Sequence, residues 1–120
     1  MKTFRDLLVW QKAMDLVTEV YKHSRMFPKE ESYGLTSQLR RCAVSIPSNL
    51  AEGYGRRSNN EFNRFTQIAT GSLYELQTQL ELSMRLGYIN DEDYTRLHDQ
   101  SREVERMLNS LTRTLQEQTS

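Results

Sequence analysis

The side chains best suited to chemistry in this sequence are two histidines, one cysteine, and a central run of short polar residues followed by arginines. Helical bundles hold metals through Glu-x-x-His pairs that face the core. Neither His23 nor His98 has a carboxylate three residues before it, so both read as polar-face residues. A single cysteine, Cys42, excludes an intrachain disulfide and any CxxC zinc site. It falls on an apolar helical stripe, where cysteine behaves as a small buried hydrophobe. No GxSxG, Walker or dinucleotide pattern is present. The glycines of Ala51-Glu52-Gly53-Tyr54-Gly55-Arg56-Arg57 follow a helical pattern rather than a strand, and a helix terminus beside a tight turn accounts for them. The expectation is a protein that is not an enzyme, with no catalytic residue, cofactor or metal.

Two constellations remain. Ser45, Ser48, Asn49 and Glu52 share one helical face around Pro47. A merely solvated face carries Lys, Glu and Arg more often than short polar groups. This set suits a structural or subunit contact, through close helix packing or through capping of the carbonyl that Pro47 frees. The second constellation is basic: Arg40, Arg41, Arg56, Arg57 and Arg64, with Tyr54 and Phe62 nearby. Cations interleaved with aromatics can bind single-stranded nucleic acid by charge and stacking. The competing reading pairs these arginines with Glu52, Glu61 or Glu75 on neighbouring helices.

The elements that must position these groups are helical throughout. Segment one, about 4–25, carries Leu7, Trp10, Ala13, Met14, Val17, Val20 and Tyr21 at steps of three and four, with Thr3 as N-cap and Phe27-Pro28 as its stop. Segment two, about 33–54, keeps the step through Leu35, Leu39, Cys42, Ala43, Ile46 and Leu50. Pro47 lies inside it and must cost one backbone hydrogen bond, which predicts a kink. Segment three, about 60–86, has its main stripe on Phe62, Phe65, Ala69, Leu73, Leu76, Leu80 and Met84. Ile68, Leu82 and Leu86 lie off that stripe, so this helix is apolar on more than one side. Segment four, about 91–115, opens on Asp91, Glu92 and Asp93, where the helix dipole favours negative charge. Tyr94, Leu97, Ser101, Val104, Leu108, Leu111 and Leu115 then form a strict heptad seam. The polar tail, Gln116 to Ser120, is expected to fray. Short links between long helices make consecutive helices antiparallel. The predicted fold is all-α: one domain over residues 1–120, an antiparallel up-down-up-down four-helix bundle with helix two kinked at Pro47.

Composition supports this. Glycine and proline number only 5 and 2, too few for the turns of a β-sandwich. The formal net charge is zero, yet the first half of the chain is basic and the second acidic. A chain of zero net charge does not coat nucleic acid over its whole surface, but one basic face is compatible with it. There is no signal-type apolar run at the N-terminus and no stretch near the ~20 apolar residues that span a bilayer. The expected setting is cytoplasmic, with no membrane contact.

The run Phe4-Arg5-Asp6-Leu7 with Val9-Trp10-Gln11-Lys12-Ala13, then Phe27-Pro28 and Glu31, resembles the opening of the four-helix bundle proteins of the 23S rRNA intervening-sequence family. The block Tyr33-Gly34-Leu35-Thr36-Ser37-Gln38-Leu39-Arg40-Arg41, continuing into Ser45-Ile46-Pro47-Ser48-Asn49 and Ala51-Glu52-Gly53, resembles that family's most specific signature. Ile68-Ala69, Gly71-Ser72-Leu73-Tyr74-Glu75-Leu76 and Leu86-Gly87-Tyr88 match its third helix. The accessory protein of diversity-generating retroelements is a relative, a basic protein that assembles as a homopentameric barrel and binds nucleic acid and a reverse transcriptase. The resemblance implies a homo-oligomer, a pentamer, and partners among RNA, DNA and a reverse transcriptase or other protein. The zero net charge departs from the basic retroelement type. The family supplies no catalytic residues to carry over.

Sequence alone therefore predicts a non-enzymatic oligomeric scaffold or accessory protein that acts with RNA, DNA or a nucleic-acid-processing partner. The alternative is a module for protein–protein interaction with no nucleic-acid binding.

Overall fold

The computed structural model describes residues 2–119, the last of them by its backbone only, and the predicted all-α bundle is what it shows. Four helices fill it: α1 (Leu8–Ser24), α2 (Leu35–Tyr54), α3 (Asn59–Arg85) and α4 (Asp91–Thr119), with no strand among the described residues. They pack into a body of 46 × 24 × 21 Å. α1 touches α2 and α4, and α3 touches the same two, so the helices lie around a square in chain order. Side-chain partners fix the directions. Gln79 meets Gln38 while Ser72 meets Ser45. Gln77 meets Ser101 while Asn59 meets Gln118. In each pair the numbers fall on one helix as they rise on the next, which makes neighbours antiparallel.

Local chemistry explains the ends. Thr3 accepts from the Arg5 amide at 3.0 Å, and the Asp6 carboxylate accepts from the Lys2 and Thr3 amides. The turn so capped is a single 3₁₀ turn over Phe4–Asp6; Leu7 is extended and α1 starts after it. The predicted first helix is thus divided, because the break lets Leu7 enter the core and Phe4 pack edge-on against Trp10 at 5.2 Å between ring centroids. Ser58 caps α3 by accepting from the Glu61 amide, and Asn90 caps α4 by accepting from the Asp93 amide. Gly87, at φ +80°, closes α3 with the Tyr88 amide donating to the Ser83 carbonyl at 2.9 Å.

α2 is one helix from Leu35 to Tyr54 with a buried Pro47 inside it, as expected, and the kink predicted there is not established. α4 extends beyond its expected end at Leu115 to Thr119: Leu115 is buried, and Asn59 Nδ2 donates to Gln118 Oε1 at 3.0 Å. Ser120 of the predicted tail lies outside the described residues.

The core is one cluster. Val9, Ala13, Leu16 and Val20 of α1 face Leu39, Ala43, Ile46 and Leu50 of α2, Ala69, Leu73, Leu76 and Leu80 of α3, and Leu97, Val104 and Leu108 of α4. On α1 only part of the stripe read from the sequence is core: Leu7, Ala13 and Val20 are buried, joined by Val9 and Leu16. Met14 and Tyr21 are 41% and 38% exposed, and Trp10 and Val17 are half-buried. They form a second apolar face.

Candidate interaction surfaces

Cys42, His23 and His98 stand in three separate settings. Cys42 is buried, its Sγ donating to the Leu39 carbonyl at 3.2 Å and lying 3.6 Å from Gln79 Oε1. Burial, with the nearby Glu75 charge, pushes its thiol up to about 12, so it is no thiolate nucleophile at neutral pH. His23 sits between carboxylates, 3.9 Å from Glu19 and 3.6 Å from Asp93. His98 lies against the Tyr94 ring. Among the described residues no three His, Cys, Asp or Glu side chains are placed to hold a metal.

The short polar face of α2 divides. Ser45 and Ser72 hydroxyls meet at 2.8 Å, and Asn49 Nδ2 donates to the Ser45 carbonyl at 2.8 Å and to its hydroxyl at 2.9 Å. That network seats α2 on α3 within one chain. Ser48 turns the other way, exposed beside the groove between α1 and α2. Glu52 pairs with Arg56 at 3.1 Å. Gly53 shows why this signature ends on glycine: a Cβ there would lie 2.7 Å from Phe65 Cβ and 3.0 Å from a Phe62 ring carbon.

The five arginines form no single rim. Arg40 reaches back to α1, donating from Nε to Ser24 Oγ at 2.8 Å and to the Tyr21 carbonyl, with its guanidinium 4.5 Å from the Tyr21 ring centroid. Arg41 lines an open cleft between α2 and α3 with Gln38, Cys42, Ser45, Ser72 and Glu75. Only Arg56, Arg57 and Arg64 gather, at the end of the bundle where α2 gives way to α3. There Arg56 and Arg64 stand over the Phe65 ring at 4.8 and 4.6 Å. Their ion pairs, Arg56–Glu52 and Arg64–Glu61, are local contacts along the chain and not the inter-helix pairs weighed above. The Arg64 bond holds the Glu61 carboxyl below its usual range. Tyr54 and Phe62 pack edge-on against each other instead of standing free to stack on bases.

Sequence reasoning missed one basic surface. Arg106 and Arg113 are exposed on the outer side of α4, where they line a groove with Asn109, Thr112 and Gln116. Their seven-residue spacing is the sequence signal of a shared face, opposite the heptad seam that dominates the periodicity of α4. The Asn59–Gln118 bond brings the end of α4 to the start of α3, so Arg113 joins the same end of the bundle as Arg57.

A family model described as 23S rRNA-intervening sequence protein matches residues 5–110. The chain belongs to that family. The match takes in nearly all of the bundle, from the first capped turn to the last third of α4, as the resemblance in its motifs implied. No curated protein matches the chain. Among solved structures, a protein of unknown function from the S23 ribosomal protein family of Bacteroides thetaiotaomicron superposes with a TM-score of 0.81. The two are 24% identical over 88% of this chain and 98% of the other, a likeness that shows the fold.

In this member of the 23S rRNA-intervening sequence protein family, apolar surface stays outside the core in at least two places among the described residues. One is the groove of Trp10, Met14 and Val17 of α1 with Val44, Pro47 and Ala51 of α2. Another is the flank of α3 that carries Ile68, Leu82 and Leu86, which are 42%, 46% and 55% exposed. No helix is long and apolar enough to cross a membrane among the described residues.

Proposed function

We propose that this protein is a non-enzymatic, self-assembling scaffold of the cytoplasm that acts with nucleic acid or a nucleic-acid-processing partner. The observation that carries the assembly half is the pair of apolar surfaces outside the core. Apolar side chains grouped in a groove and along one helix flank, outside the core, are what a subunit contact would cover. The resemblance to pentameric relatives makes a homopentamer the expected state. Mass measurement of the purified chain by light scattering tests it, with a monomer at micromolar concentration as the refuting result.

The nucleic-acid half rests on the basic end of the bundle. Arg57 and Arg113 are exposed there, and Arg56 and Arg64, which also rest on the Phe65 ring, make local, exposed ion pairs that a phosphate can replace. In a ring each copy contributes the same cluster, so modest charge per chain becomes a repeated basic surface on an assembly of zero net charge. Titration of labelled RNA and DNA at low salt is the test: affinity that falls steeply as salt rises supports phosphate contacts. No binding to either would leave the protein–protein module, a reading favoured by Arg40, whose bonds to Ser24 and Tyr21 already commit it to the fold.

A further inference from the structure

Gly71 has no reason within its own chain. It lies in the middle of α3 in ordinary helical geometry, and a Cβ there would meet nothing within 4 Å. Alanine would make the better helix, since glycine has more backbone freedom to lose. Glycine at an exposed helical position earns explanation when another backbone must come close. The residues around it fit that requirement. Ile68, Glu75 and Leu82 follow at seven-residue spacing, which places them on one flank, and both apolar members are exposed. Glu75 borders the cleft between α2 and α3, so this flank looks out beside α2.

The α1–α2 groove is the matching concavity, about 370 Å³ and lined by Trp10, Met14, Val17, Val44, Pro47 and Ala51 with Ser48. With Tyr21, its apolar wall on α1 runs about 16 Å, most of the roughly 21 Å from Ile68 to Leu82, at 1.5 Å per residue. The groove does not repel an acidic flank: no carboxylate lines it, and the Arg40 guanidinium stands over the Tyr21 ring at one end. The flank offers the carboxylate of Glu75.

We infer that the α3 flank of one copy, Ile68–Gly71–Glu75–Leu82, seats in the α1–α2 groove of the next copy as a head-to-tail contact, on the footing of the self-assembly proposed above. The two surfaces lie on adjacent sides of the bundle that share α2. Successive copies therefore turn relative to one another, which a head-to-tail contact needs if it is to close into a ring.

The test uses full-length chains and native mass spectrometry. Leu82→Glu blocks the flank and Met14→Glu blocks the groove; both side chains are substantially exposed, and circular dichroism checks that each variant is folded. Each alone should run at the mass of one chain, 14.2 kDa. Mixed in equal amounts, they should give a heterodimer and nothing larger, because one intact flank and one intact groove remain between them. Gly71→Arg with Val44→Arg is the second pair, should either first variant fail to fold. A wild-type monomer overturns self-assembly itself. A wild-type oligomer whose single variants assemble unchanged, or whose mixture stays monomeric, overturns this pairing of faces and leaves self-assembly standing.

Discussion

The Tyr88 hydroxyl donates to Glu31 Oε2 at 3.0 Å, while the other oxygen of the same carboxylate accepts from the Leu35 amide at 3.1 Å. One side chain thus caps α2 and ties the α1–α2 connection to the α3–α4 connection at a shared end of the bundle. Gly34 leaves room for it, since a Cβ there would lie 2.8 Å from Glu31 Oε1. Glu31→Ala should cost about 1 kcal/mol, the usual loss for a helix N-cap, read by urea unfolding. Tyr88→Phe should cost less, because the cap survives.

The same contact has a pH signature. The hydrogen bond to Glu31, with burial behind it, raises the Tyr88 hydroxyl above its ordinary value of 10.0. A raised folded value favours the protonated form, so this stabilisation is complete below pH 10 and is lost as pH rises through the raised value. Unfolding midpoints between pH 8 and 11 should fall more steeply for the wild type than for Tyr88→Phe. Parallel curves would show that the contact contributes nothing to the alkaline limb.

Gly53 and Gly71 should respond in opposite directions to the same substitution. Gly53→Ala forces a methyl against Phe65 Cβ, an atom anchored to the backbone of α3, and overpacking of this kind costs about 1–3 kcal/mol. Gly71→Ala meets open space in the single chain and should gain about 0.5–1 kcal/mol of helix stability. The comparison belongs on the Leu82→Glu background, where assembly does not add a concentration-dependent contribution.

Cys42 should be silent to thiol reagents. A free cysteine gains reactivity as pH passes its ordinary value near 8.5. Burial, with Glu75 adding to it, pushes this thiol up to about 12 and removes that rise. Labelling with an aromatic disulfide between pH 7 and 9 should stay slow and nearly flat, becoming fast in denaturant. A step in rate near pH 8.5 without unfolding would mean an accessible thiol.

Much of the fold was legible because helical periodicity is strong where one face is buried. The seam of α4 is an example: Leu97, Ser101, Val104, Leu108 and Leu115 are all buried. The off-stripe Ile68, Leu82 and Leu86 were likewise legible as a second face of α3. On α1 the reading merged two surfaces. Trp10, Met14, Val17 and Tyr21 keep the helical step, but a broad apolar arc does not say which of its edges faces inward. The core took Val9, Ala13, Leu16 and Val20, and the rest became the groove. Proline announces a missing hydrogen bond without fixing the size of a bend, and Pro47 is a buried residue of one continuous α2 beside the groove with α1. The arginine cluster dissolved for a metric reason. Fourteen residues of helix separate Arg40 from the end of α2 at Tyr54, about 21 Å, and Arg56 lies beyond that end.

That separation makes the arginines divisible by experiment. Arg40→Ala removes two hydrogen bonds and the contact over Tyr21, and should lower stability by about 1–2 kcal/mol with little change in nucleic-acid affinity. Arg56→Glu with Arg57→Glu alters the exposed end, and loss of the Glu52 pair and of the contact over Phe65 should lower stability by about 1 kcal/mol, less than Arg40→Ala. If that end meets phosphates, the double variant weakens RNA or DNA binding across sequences and lowers the salt slope by about 1 for each lost contact. Arg113→Glu should do the same from α4. Should the double variant change the oligomer's mass while no nucleic-acid affinity exists to lose, the basic end is a protein contact and the interaction-module reading replaces the nucleic-acid one.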